Sequence, residues 1–384
     1  MLLVLALLSA FCAQLNFRRA PDARLWWKLT VITTEYGHFV VGVPLGVAVW
    51  AWRAETGEVL WLTLALCAVA VVGFLRPAYL ARRLGRELPA RHMAAFLPAS
   101  VALTPFSWWR LFFHPLRRHA TVRTEVFASH DGQDLSLDFY AAVGRRPAPC
   151  LVVIHGGGWD SGDRSQLAEW NHRWASRGYA VASVSYRLAP RWNWPAPQQD
   201  VLAALAWLQA REGELGLDPA CYVLVGRSAG GQIATAVGYG TEARGIAGVI
   251  ALYAPHDMPF AWSISSEDDT LNSVQLMHNY LGGPPDTSER QALYLAASGH
   301  QKVRPGVPPT LLLHGYPDTL VWYRHSRRLE AELARAAVPH LLLELPWATH
   351  GFDYNPDGPG GQLADFAIEN FLRSLVARRA PAQV

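Results

Sequence analysis

The chain has 384 residues and a formal net charge of only +3, with 34 Lys and Arg against 31 Asp and Glu. That balance leaves no basic surplus for a nucleic-acid partner, and four cysteines without regular spacing exclude a disulfide framework. Half of the residues are apolar and tryptophan reaches 16, with the apolar excess concentrated at the N-terminus, which points to a membrane-attached protein.

Residues 1–17, 36–52 and 59–75 each run without a charge. Seventeen residues of helix reach about 26 Å, the short end for a span, so residues 1–92 are expected to form a membrane region of about three transmembrane helices. Trp26, Trp27, Trp50, Trp52 and Trp61 lie at the edges of these runs, where amphipathic rings favour the headgroup level. A cleaved signal is the alternative for residues 1–17, although no basic stretch precedes the apolar run. For the other two segments the alternative is a pair of core helices. Arg18, Arg19, Arg24 and Lys28 fill the first loop, and Arg76, Arg82, Arg83, Arg86 and Arg91 follow the third run. The positive-inside rule then puts the N-terminus outside and the remainder in the cytoplasm, as a multi-pass protein.

Residues 93–121 are aromatic and apolar but broken by Pro98 and Pro105, then basic at Arg110, Arg117 and Arg118. They read as an interfacial segment or as a linker packed on the C-terminal domain. From residue 122 to 378 strands and helices alternate. Segments 122–129 and 135–142 suggest an antiparallel hairpin; 151–154, 180–185, 221–225, 247–253, 310–313 and 340–345 suggest further strands, eight in all. Crossover helices are expected at 200–209, 230–238, 322–337 and 361–376, giving an α/β fold with a mostly parallel sheet flanked by helices. Residues 255–309 are too long for a simple connection and read as a lid or cap, and 379–384 as a tail.

Two strand ends carry chemistry. The run 151–154 delivers His155-Gly156-Gly157-Gly158-Trp159, and 221–225 delivers Gly226-Arg227-Ser228-Ala229-Gly230-Gly231. A serine hydroxyl needs exposure, a base and oxyanion donors, and a glycine-lined strand-to-helix turn supplies the first. Ser228 is the candidate nucleophile, and the N–H groups of Gly157, Gly158 and Ala229 are the candidate oxyanion hole. Asp318 follows the strand at 310–313, and His350 the strand at 340–345, in the order acid then histidine. His256 is the main rival base, but neither its chain order nor its position relative to Asp318 fits; His155 is expected to hold the glycine loop, and His172, His325 and His340 look like surface or helix-end residues. No cluster has metal-ligand spacing, so no metal or other cofactor is expected.

On these motifs, together with Tyr186-Arg187-Leu188-Ala189-Pro190, residues 122–378 resemble the α/β-hydrolase fold in its hormone-sensitive-lipase-like group of bacterial esterases and acetyl-esterases. Arg227 departs from the acidic residue that much of that group carries before its nucleophile. The resemblance implies a carboxylic-ester hydrolase with a Ser-His-Asp triad, no cofactor and a cap over the site. A charge-neutral pocket near a bilayer suggests an apolar, uncharged small-molecule or lipid-like ester. An amidase or peptidase would use the same triad, and a non-catalytic membrane or partner-binding protein on the same scaffold is the remaining alternative. No triad or oxyanion residue precedes residue 121, so the domain alone is expected to act on soluble esters.

Overall fold

A computed structural model describes residues 1–96, 104–113 and 119–378. Four helices of twelve residues or more precede the sheet: α1 (Leu2–Ala13), α2 (Arg24–Glu35), α3 (Gly42–Ala54) and α4 (Gly57–Ala95). Helices α1, α3 and the first half of α4 pack on one another through Leu2, Ala6, Val47, Ala51 and Cys67. Their outer faces leave Leu8, Val49, Trp50, Trp61 and Val72 exposed.

Three separate spans do not emerge from this arrangement. Among the described helices, α4 alone is long and apolar enough to cross a membrane; α2 with residues 37–54 qualifies only as a pair, bent by 79°. At 12 residues α1 reaches about 18 Å, well short of a hydrocarbon core. A polar anchor follows it: Asn16 is buried, and its amide donates to the carbonyls of Thr33 (3.2 Å) and Gly73 (2.9 Å).

The second half of α4 leaves the bundle and joins the core of the C-terminal domain, burying Ala78, Ala81 and Leu88, while Arg91 donates to the Leu342 carbonyl at 2.8 Å. A boundary near residue 92 therefore falls inside a continuous helix. In the described part of the following segment, Leu111 is buried and Arg110 pairs with Asp357 (2.8 Å) and Asp365 (3.3 Å), so this stretch is a packed linker. Pro98, Arg117 and Arg118 lie outside the described residues, as does the 379–384 tail.

The eight expected strands are present: β1 (Val122–His130), β2 (Gln133–Tyr140), β3 (Ala148–Ile154), β4 (Ala180–Val184), β5 (Leu217–Arg227), β6 (Ile246–Leu252), β7 (Thr310–Gly315) and β8 (His340–Leu345). They form one sheet in the order β1-β2-β4-β3-β5-β6-β7-β8, antiparallel at β1/β2 and β2/β4 and parallel elsewhere. Alternation sorts each strand between two cores. Val152, Ile154 and Leu224 face one, whereas Leu151, Val153, Val223 and Val225 face the other. Burial on both faces explains why the central strands are continuous apolar runs.

Helices α5 (Ala168–Ser176), α6 (Ala196–Gln209), α7 (Ala229–Gly238), α8 (Ser273–Leu281), α9 (Ser288–Ala296), α10 (Arg324–Arg335) and α11 (Pro359–Ala377) cover the faces. The strand-and-helix reading omits α5. Its Glu, Asn, His and Arg mask a stripe in which only Trp170, Trp174 and Ala175 are buried apolar residues. The 255–309 insertion holds α8, α9 and the short helix Met258–Ser263.

Candidate active site

The turn from β5 into α7 holds Ser228 at φ 52° and ψ −121°, a conformation that costs a non-glycine residue about 1–3 kcal/mol. Its surroundings leave no alternative path. A Cβ on Gly230 would lie 2.2 Å from the Ile154 carbonyl oxygen, so the elbow can press against the end of β3 only with glycine there. This contact sets the serine beside the glycine loop. Within that loop His155 Nδ1 meets the Gly156 carbonyl oxygen at 2.7 Å, its ring stacks on Tyr186 at 4.2 Å, and Tyr186 Oη donates to the His155 carbonyl at 3.1 Å. His155 thus holds the turn.

The Gly156 N–H donates to Gln166 Oε1 at 2.9 Å. Among the described residues no protein acceptor takes the Gly157 or Gly158 N–H, and Ala229 opens α7, where an N–H has no partner in its own helix. Gly157, Gly158, Ser228 and His350 line one cavity of about 360 Å³. A narrower space of about 140 Å³ continues past Ser228 and Ala229 beneath Leu276, Met277 and Val321. The 255–309 insertion is fastened to the loop: Tyr280 stacks on Trp159 at 4.3 Å, and both side chains donate to Gln232 Oε1 at 2.8 Å.

His350 Nδ1 lies 2.8 Å from Asp318 Oδ2. The other carboxylate oxygen accepts from the N–H groups of Leu320 (2.8 Å) and Val321 (3.0 Å). Burial alone would raise the Asp318 carboxyl, but the His350 charge and the His314 and His350 hydrogen bonds outweigh it and hold the group well below the usual carboxylate range. His314 Nε2 stands 3.4 Å from Asp318 Oδ2 and 3.0 Å from the Val321 carbonyl. The structure therefore brings Ser228, Asp318, His350, Gly157, Gly158 and Ala229 to one place.

His256 does not compete. It is fully buried against Thr235 Oγ1 (3.3 Å), and burial drives its imidazole well below the ordinary value. His325, read from sequence as a surface or helix-end residue, is at a helix end but buried, and desolvation lowers it to about 3.

Three features escape the motif reading. Arg227 is buried, donates to Asp353 Oδ2 at 2.6 Å and lies 4.5 Å over the Trp170 ring; Asp353 Oδ1 accepts from Tyr253 Oη at 2.6 Å, and the Tyr253 ring packs 4.4 Å from His350. The unusual residue before the nucleophile is thus a buried anchor tying the elbow to the His350 loop. Second, His314 is a further partner of the acid. Third, and with no signal in local sequence, the N-terminal region walls the site. The Trp27 indole N–H donates to the His350 carbonyl at 2.9 Å, Thr270 N–H donates to Asp22 Oδ1 at 3.2 Å, and Gly360 N–H donates to Glu35 Oε2 at 2.9 Å.

One expectation changes accordingly, and another becomes a test. The pocket is not charge-neutral at its rim, because Arg19, Asp22 and Arg24 line it. The catalytic domain is also braced from outside itself, by the Trp27 contact to the His350 loop. A protein starting at residue 121 loses the Trp27 contact to the His350 loop, and misplacement of that kind costs about 10²-fold in turnover. The expected result is a corresponding fall in kcat/KM on p-nitrophenyl butyrate; undiminished activity would show α2 to be dispensable.

This sheet, elbow and glycine loop define an α/β-hydrolase of the esterase group. The profile of the BD-FAE family matches residues 137–333, and the chain belongs to that family. "Probable carboxylic ester hydrolase LipM" of Mycobacterium tuberculosis is 26% identical over 92% of this chain and 88% of its own length; "Esterase LipQ" of the same organism is 28% identical over 70% of this chain and 66% of its own. Among solved structures, "Bacterial Heroin Esterase" superposes with a TM-score of 0.57 at 25% identity, covering 68% of this chain and 85% of that one. Esterase LipW from Mycobacterium marinum gives a TM-score of 0.56 at 22% identity, covering 79% and 90%, which speaks to the fold.

Proposed function

We propose that this enzyme hydrolyses carboxylic esters through a Ser228-His350-Asp318 triad and an acyl-enzyme. The observation that carries the reading is the 2.8 Å His350–Asp318 contact beside Ser228 in a cavity that also presents Gly157 and Gly158. Asp318 holds the imidazole with Nδ1 protonated, leaving Nε2 to take the serine proton. Ser228 Oγ then attacks the ester carbonyl, and the Gly157, Gly158 and Ala229 N–H groups receive the developing oxyanion; each such donor is worth about 2.7–4 kcal/mol of barrier. The imidazolium returns its proton to the departing alkoxide. Water, deprotonated by His350, releases the acid. The apolar space beneath Leu276 and Met277 takes the acyl chain.

Membrane attachment is part of the same proposal. Exposed apolar side chains of α1, α3 and the first half of α4 supply the lipid-facing surface, and the LipM match, at 92% of the chain, must extend into α3 and α4. The arginines at the base of the bundle favour a cytoplasmic catalytic domain. Full-length enzyme assayed on matched p-nitrophenyl esters and anilides should cleave the esters by a wide margin. A preference for anilides would make it an amidase. The same protein should sediment with membranes, and alkaline phosphatase fused to its C-terminus should be inactive; an active reporter would reverse the orientation.

A further inference from the structure

Where the helical bundle meets the catalytic domain lies a recess of about 560 Å³ that the mechanism does not use. Four arginines line it: Arg18 and Arg19 from the segment after α1, Arg76 from α4 and Arg324 from the start of α10. No acidic residue lines it, and among the described residues none of the four has a carboxylate partner. Arg76 donates to the Asn16 carbonyl and lies 5.0 Å over the Phe17 ring, while Arg324 lies 4.1 Å over Trp322. Guanidinium planes fixed by aromatic faces keep their N–H edges available for a planar or tetrahedral anion.

Four like charges around one recess repel one another, so an anion entering it relieves an existing electrostatic cost. Placement narrows the choice of anion. The recess sits at the foot of the exposed apolar bundle, and two of its residues, Arg19 and Trp322, also line the narrow space that contains Ser228 and Ala229. Arg19 and Trp322 thus border both spaces and set them side by side. Aromatic side chains at this level, Phe17 and Trp322 among them, suit the boundary between an acyl chain and a polar head.

We propose that this recess is a headgroup subsite, and that the enzyme's substrates are acyl esters carrying a phosphate, such as acylglycerol phosphates drawn from the membrane. The phosphate sits among Arg18, Arg19, Arg76 and Arg324 while the ester carbonyl lies at Ser228. This assignment rests on the ester-hydrolase reading and adds the substrate class to it.

The test uses full-length enzyme in neutral detergent micelles and two acyl-matched compounds, 1-decanoylglycerol and 1-decanoylglycerol 3-phosphate. Wild type should favour the phosphate ester by about tenfold or more in kcat/KM, and Arg18→Gln with Arg324→Gln should abolish that preference through KM, in line with the loss of two charge-assisted contacts. Equal use of the two compounds by wild type, or a preference that survives in the double variant, would overturn the subsite. Binding to Ser228→Ala protein, followed by tryptophan fluorescence, separates the two proposals. Tight binding of the phosphate ester there, coupled to an absence of turnover in wild type, would sustain the subsite and sink the hydrolase reading. Inorganic phosphate should compete only weakly; if it bound as well as the acylated compound, the recess would be a free-phosphate site and the lipid assignment would fail.

Discussion

Ser228→Ala is expected to lower kcat on p-nitrophenyl esters by about 10⁶, to the level left by the oxyanion donors and substrate binding alone. The fold should survive. Ser228 is held in its left-handed conformation by the contact of Gly230 with the end of β3, and its own N–H donates to the Leu252 carbonyl at 2.9 Å; alanine keeps both. The substitution therefore leaves the melting temperature close to that of wild type. A serine-reactive phosphonate should label wild type stoichiometrically and the variant not at all. Labelling of the variant at another serine would remove Ser228 from the mechanism, whatever its rate.

Much of this site was legible because its parts sit at strand ends, where local sequence dictates geometry. The apolar run before His155 could be buried only as a central strand, so its glycine loop had to emerge at the strand's C-terminal end; the same holds for the run before Ser228. Asp318 and His350 followed from chain order after β7 and β8. Physics of this kind is short-ranged. It could not show that Arg227 closes an ion pair with Asp353, because the pairing depends on how two loops from different strands meet. Still less could it show Trp27 donating to the His350 carbonyl across 323 positions of sequence. Three separate spans do not emerge for a related reason: absence of charge in residues 1–17 signals burial from water, but the helix stops where buried Asn16 finds the Thr33 and Gly73 carbonyls. Hydropathy reads the environment of a segment and not its length as a helix.

The second large effect is expected at the acid and the base. Asp318→Asn should reduce kcat by about 10⁴ and His350→Ala by at least as much, since loss of the carboxylate releases the imidazole from the tautomer that leaves Nε2 free to accept a proton. Asp318 is fully buried and bonded on both oxygens, with His350 and His314 near Oδ2 and the Leu320 and Val321 N–H groups on Oδ1. An asparagine there must keep its carbonyl oxygen toward the two N–H donors. Its amide N–H₂ then faces His350 Nδ1, forcing that nitrogen to accept and moving the ring proton to Nε2, where it opposes the Ser228 hydroxyl. The defect should thus appear in kcat with KM nearly unchanged. His314→Ala offers the contrast, because it removes a neighbour of Oδ2 without touching the tautomer of His350, and should cost far less than either triad substitution. His256→Ala should lower stability through a cavity in the core while sparing kcat per folded molecule. If His256→Ala matched His350→Ala in kcat, or if Asp318→Asn turned over at the wild-type rate, the base and the acid would have to be sought elsewhere in the cavity.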